Sequence, residues 1–212
     1  MPQHPWKPQL LQHLVHLRPP VFAFATLSTS AAPTNPAFSS LGPPPPQPPE
    51  HPEDGALPAP CYPRVRTMTY RGFAGTLPWN AHNPLLNHNP RGVYESDMLT
   101  FTTDDRMTKT GELLLPGQHA TGGGEPVEMC FWIGTTQNQW RVRGRCYLLA
   151  EEDADASPAV TDVLQKRMRP TAIQGGDAGR NDWSWAKEVQ VCFSSSLYLF
   201  SRSRALAKRT EK

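Results

Sequence analysis

No stretch of this 212-residue chain is apolar for the length of a bilayer crossing, no C-x-x-C pair joins its four cysteines, and no N-x-S/T sequon is present. The first absence excludes a membrane-spanning helix, which needs about 20 consecutive apolar residues. The second leaves Cys61, Cys130, Cys146 and Cys192 as scattered thiols, read as reduced and mostly buried rather than as a disulfide frame or a zinc site. The opening residues, MPQHPWKPQLLQHLVHLRPP, are too rich in His, Gln and Pro for a signal peptide, so the expectation is a soluble, cytoplasmic protein. Charge of one sign is also lacking. The net charge is +2, and five of the 21 basic residues fall in the last eleven positions. The remainder carries 16 basic against 18 acidic residues, which excludes a broad nucleic-acid footprint.

Catalytic spacings are equally scarce. No Ser/His/Asp or Cys/His set suggests a nucleophilic enzyme. Gly122 to Gly124 lack the Gly-Lys-Ser/Thr ending of a phosphate loop and read as a flexible connection. His13 and His16 stand three apart on a predicted helix, but no Cys or carboxylate nearby in sequence completes a metal site; they read as solvated, and no metal is expected. Arg141, Arg143 and Arg145 alternate along one strand face without interleaved aromatics, which favours a solvated or dimer-facing surface over nucleic acid.

What remains is one core's worth of apolar residues, 38% of the chain, and an uneven distribution of proline. Twelve of the 24 prolines fall in residues 33–63, which hold no Lys or Arg and read as an extended, solvated insertion. Ahead of it, Pro8 to Leu17 predicts a helix with Leu10, Leu14 and Leu17 on one stripe, and VFAFATLS predicts a strand. After it, PRVRTMTYRGF alternates, with Val65, Thr67 and Thr69 on one face and Arg66, Met68 and Tyr70 on the other. MLTFTT reads as a strand. EMCFWIGTT is so continuously apolar that it reads as a strand covered on both faces. In QWRVRGRCYLLA, Trp140, Val142, Cys146 and Leu148 alternate with Gln139, Arg141, Arg143 and Arg145. Two helices follow, SPAVTDVLQKRM capped by Ser157 with Pro158 first, and NDWSWAKEVQVCF with Trp185, Val189, Cys192 and Phe193 buried. These elements do not alternate strand and helix, so a doubly wound sheet is excluded.

Between MLTFTT and the next strand, Arg106 and Lys109 stand three apart at a predicted helix start, where a helix prefers acids. Two cations there suit an anion, or else pair with Asp104, Asp105 and Glu112 at the surface, where such pairs are worth little. In order and spacing, RVRTMTYRGF, LTFTTDDRMTKTGEL and VEMCFWIGTTQNQWRVRGRCYLL resemble the successive strands of the pyridoxamine 5'-phosphate oxidase-like, FMN-binding split-barrel family, in a branch common in fungi. The resemblance runs from about Trp6 to Phe193. It implies a mainly β, Greek-key split barrel with flanking helices, one domain over residues 1–193 interrupted by the insertion, and a basic tail over 194–212 with its last ten residues disordered.

The resemblance also implies a cofactor, FMN, at the interface of a homodimer, and a small-molecule substrate it does not name. Carried over position by position, Arg66 and the residues after it (Thr67, Met68, Thr69, Tyr70, Arg71) would contact the flavin, as would Thr102 and Thr103. Lys109 would bind the phosphate with Arg106 beside it, and Gln139 would hydrogen-bond the flavin ring. Such a site suits FMN chemically, since a phosphate dianion needs cations and N–H donors and a flat ring needs apolar walls. The chain departs from the oxidases proper in having Met107-Thr108-Lys109 where they have Ser-Arg-Lys, and Arg71 where they use a substrate-phosphate lysine. Two readings of function stand: a flavin-dependent oxidoreductase, or a split barrel that has lost turnover and serves as a binding or interaction module.

Overall fold

A computed structural model describes residues 4–29, 61–78, 88–103, 107–113, 123–149, 158–171, 176–191, 197–201 and 204–209. The first helix, α1 (Trp6–Leu14), starts and stops slightly ahead of the expected span, and its Leu10 is fully buried. Strand β1 (Val21–Thr29) runs antiparallel to β2 (Cys61–Phe73), in a register that pairs Phe24 with Arg66 and Ala25 with Val65. The short β3 (Tyr94–Glu95) precedes β4 (Leu99–Thr103), which pairs with β2 beyond a bulge between Tyr70 and Gly72. A six-residue helix, α2 (Thr108–Leu113), leads to the long hairpin of β5 (Gly123–Ile133) and β6 (Asn138–Leu149).

The order β5-β1-β2-β4 places three successive partners beside a strand that returns to the first, which is a Greek key. Strand β8 (Leu197–Ser201) joins β4 to β6, and the pairing of β6 with β5 closes the ring. Strand β6 divides its other edge: residues 146–149 pair with β8, while residues 138–143 pair with β9 (Arg204–Arg209). The span expected as a tail, 194–212, thus contributes two strands to the sheet. A run such as Leu197-Tyr198-Leu199-Phe200 has high strand propensity, and the open edges of β4 and β6 give it backbone partners.

Inside the ring, alternate residues meet as the pleat requires: Phe22 and Phe24 of β1, Met68 of β2, Phe101 of β4, Met129 and Phe131 of β5, and Trp140 and Val142 of β6 are all buried. The alternation expected for β2 and β6 is observed. Strand β5, expected to be covered on both faces, is covered on only one: Val127, Met129, Phe131 and Ile133 are buried, whereas Cys130 is half-buried and Trp132 is 48% exposed. Gly123 and Gly124, read as flexible, open this strand at φ +104° and +107°. A Cβ on Gly123 would stand 2.7 Å from the Leu113 carbonyl oxygen, so the glycine lets α2 close against the sheet.

The two ends of the barrel are stopped by α1 and α2. At one end, Trp6 packs on Phe73 and the Trp140 indole N–H donates to His13 Nδ1 at 2.8 Å. His13 is therefore a docking contact rather than a solvated residue; His16 is exposed. Lys7 reaches into the same end, donating to the Ser96 carbonyl oxygen beside Asp97. Arg169, on β7 (Arg169–Pro170), grips Asp97 with two hydrogen bonds of 2.7 and 2.9 Å. Burial pushes the Asp97 carboxyl up, but the bonds from Arg169 and the His4 N–H and the charges of Arg169 and Lys7 outweigh it and hold the group below the usual carboxylate range.

A second core, outside the ring, gathers Met98, Tyr147, Leu149, Leu164, Trp185 and Val189 under α3 (Pro158–Gln165) and α5 (Trp185–Gln190). The single helix expected over NDWSWAKEVQVCF is broken. Helix α4 (Gly176–Asp182) ends, and Ser184 starts α5 by accepting from the Lys187 N–H at 3.2 Å. Ser157, Cys192 and Phe193 lie outside the described residues, as does nearly all of the Pro-rich insertion.

Candidate cofactor site

Because side chains alternate along β2, the six residues named there do not act together. Thr67, Thr69 and Arg71 belong to the outer face, and Met68 and Tyr70 to the interior. Tyr70 packs against Phe73 and Phe131, and burial pushes its phenol well above the usual range. On the outer face, Arg71 Nε donates to Thr102 Oγ1 at 3.3 Å, so two residues thirty-one apart in sequence meet across β2 and β4. Thr103, next along β4, is buried.

Arg66 faces inward at the end that α2 covers, and it has protein partners there. Its Nη1 donates to Thr26 Oγ1 at 2.7 Å, and its Nη2 donates to both Glu112 oxygens at 2.9 and 3.1 Å. The Thr26 hydroxyl in turn donates to Glu112 Oε2 at 2.5 Å. The Glu112 side chain is 1% exposed and that of Arg66 22%, so β1, β2 and α2 are joined through a nearly dry ion pair. Lys109, one turn before Glu112 on α2, is also buried. Arg106 lies outside the described residues.

Gln139 stands apart from this group. It hydrogen-bonds Cys130 on β5, whose thiol is pushed up mainly by burial, and β8 lies between β4 and β6 in the sheet. Near it, Arg141 and Arg143 both pair with Glu128, and Arg145 donates to the Gly124 carbonyl oxygen at 2.7 Å. Of the sequence candidates, then, the fold brings together Arg71 with Thr102 on one face of β2–β4, and Arg66 with α2, the helix of Lys109, at the adjoining barrel end. Among the described residues no cluster of His, Cys, Asp and Glu could hold a metal ion, and no helix is long and apolar enough to cross a membrane.

Sequence reasoning passed over Thr26, gave Glu112 only as a surface partner for Arg106 and Lys109, and missed a cavity of about 320 Å³ lined by residues that include Gly75, Thr76, His88, Asn89, Arg91 and Glu188. Its floor is the Glu188 carboxylate, which accepts from the Gly75 N–H at 2.6 Å and from Asn89 Nδ2 at 2.9 Å. Asn89 also bonds the Ser184 backbone in both directions, tying loop 88–92 to the start of α5. Burial raises the Glu188 carboxyl above its usual range despite these two donors. A signal was present: Trp185, Glu188 and Val189 fall at helical spacing, which puts a carboxylate on the buried stripe.

A matched segment of the chain holds β2, β4, α2, β5 and β6 but neither Thr26 nor Glu188. Residues 55–150 match the family model described as pyridoxamine 5'-phosphate oxidase, FMN-binding domain. The chain resembles that FMN-binding family. The cofactor this match carries is FMN. Among solved structures, the chain is similar to a pyridoxamine 5'-phosphate oxidase-related, FMN binding protein from Nostoc punctiforme, at 15% identity and a TM-score of 0.45, over 98% of this chain and 86% of that one. No curated protein matches.

The residues present suit the FMN-binding domain on chemical grounds. Thr67, Thr69, Arg71 and Thr102 line the outer face of β2–β4 with hydroxyls and one cation, donors of the kind that a polar, anionic ligand calls for.

Proposed function

We propose that the chain is a flavin-dependent oxidoreductase that binds FMN along β2–β4 and α2 and works as a homodimer. The observation that carries the reading is the meeting of Arg71 and Thr102 on the outer face of β2–β4, within the matched segment that also holds the helix of Lys109. When bound, FMN would supply the redox chemistry, accepting a hydride equivalent on its ring. The chain's own residues would do the rest: Lys109 would face the phosphate, Arg71 and Thr102 would orient the ligand, and the barrel wall would exclude water from one side. The experiment is titration of the purified protein with FMN, followed by flavin absorbance and fluorescence. Lys109→Ala is expected to weaken binding about tenfold, the worth of one charge-assisted hydrogen bond. Unchanged affinity would remove Lys109 from the site.

Two features support the homodimer. Gln139, the residue expected at the flavin ring, lies across the sheet from Arg71 and Thr102, so a second copy would have to bring it to the same ligand. The outer face of β1–β2 also leaves Leu27 49% and Val65 68% exposed, diagonal neighbours on adjacent strands. Apolar side chains gathered in this way suit a partner. Light scattering is expected to give twice the chain's mass, falling toward the monomer on Val65→Glu. A monomer that still holds FMN would sink the arrangement.

A non-catalytic reading has one observation in its favour. The described outer face of β2–β4 presents threonines and a guanidinium but no general acid or base. Anaerobic reduction of the bound flavin by a nicotinamide cofactor, and its absence, separate the two readings.

A further inference from the structure

Resting on the FMN reading, we propose that Glu112 is a positioning residue for the cofactor's phosphate: by joining Arg66 and Thr26 to α2, it sets where Lys109 stands. Glu112 does not meet a ligand itself, because both of its oxygens are taken by Arg66 and Thr26. What it holds is a helix of six residues. Helices that short have no stability of their own and keep their place only through tertiary contacts. Two of the contacts of α2 bear on how it is set. Leu113 enters the barrel core, which fixes the helix's depth without fixing its rotation. The Glu112 carboxylate, held by three hydrogen bonds from Arg66 and Thr26, is directional and fixes rotation as well.

Lys109 is three residues before Glu112, so the two stand on one side of the helix and turn together. The same pair changes the part assigned to Arg66. Two of its nitrogens are committed to Thr26 and Glu112, and a buried carboxylate offsets its charge. Arg66 then serves the phosphate through α2, as the anchor against which the helix is set.

Riboflavin, which is FMN without the phosphate, separates this role from a general contribution to folding. Wild-type protein is titrated with FMN and with riboflavin, followed by the variants Glu112→Gln and Thr26→Val. Glu112→Gln keeps the shape but offers Arg66 a single, neutral oxygen. Its affinity for FMN is expected to fall about tenfold while that for riboflavin holds. Thr26→Val, which removes only a hydroxyl and keeps the volume, is expected to move FMN binding in the same direction by less, and it carries the test if Glu112→Gln does not fold. A parallel loss of both ligands, or FMN affinity within twofold of wild type in the folded variants, overturns the proposal. Wild-type protein that binds FMN no better than riboflavin overturns the phosphate reading itself, and that result appears before any substitution is made.

Discussion

Arg66→Ala is expected to lower the stability of the FMN-free protein by about 3 kcal/mol, because it leaves the Glu112 carboxylate buried without its cation. The estimate is set at the low end of the range for broken buried pairs, since about a fifth of the Arg66 side chain is exposed. For a chain of this length that corresponds to a fall of roughly 6–12 °C in the midpoint of thermal unfolding. Circular dichroism on the FMN-free variant measures it. The sequence alone leads to a different expectation, in which Arg66 touches the ligand and its loss affects only affinity. A melting point unchanged within error, together with a collapse of FMN binding, would favour that version and remove the structural role derived from Thr26 and Glu112. Arg66→Lys should restore little, because an ammonium cannot present the planar set of donors that spans a hydroxyl and a carboxylate.

The second large effect is expected at Glu188. Glu188→Ala removes the acceptor for the Gly75 N–H and for Asn89 Nδ2, two half-buried donors, at a cost of about 2 kcal/mol in all. Hydrogen exchange at the Gly75 amide should speed up along with the drop in melting temperature. Intact protection there would show that the bond is dispensable. A pH signature goes with it. Since burial raises the folded-state carboxyl above its unfolded value near 4.3, the folded protein holds the proton more tightly. The Glu188 contribution is fully present below that unfolded value and declines as pH rises through the folded one. The slope should vanish in the Ala variant, and a slope that survives the substitution would assign it to another group.

How much of this could be read from the text depends on where the information lies. The alternation along β6 was legible because one of its faces meets water and the other meets the core, so Arg141 and Arg143 mark one side and Trp140 and Val142 the other. Strand β5 misled because its outward positions hold Cys130 and Trp132, and an apolar count cannot tell a residue inside the barrel from one exposed on its wall. Pairing of β8 with β4 joins Leu197 to Thr103, and no local pattern announces a partner so distant. The site divides in the same way. Arg71 and Thr102 were named through a resemblance of ordered segments, and they meet. That Arg66 would be met by Glu112, forty-six residues on, depended on how α2 crosses the barrel end, which is a property of the assembled fold.

The order in which the ring closes has a consequence for how the chain folds. Strands β1, β2, β4, β5 and β6 are complete by residue 149, yet the gap between β4 and β6 is filled only by residues 197–201. During synthesis, at roughly 5–20 residues per second, some seconds pass in which both edges stand open with their backbone groups unpaired. Pairing across so long an interval also makes the closing step slow relative to the hairpin of β5 and β6, which needs only a four-residue turn. The newborn chain should therefore be most prone to associate with its neighbours in this window, so that handling by chaperones would govern its yield more than the stability of the finished barrel.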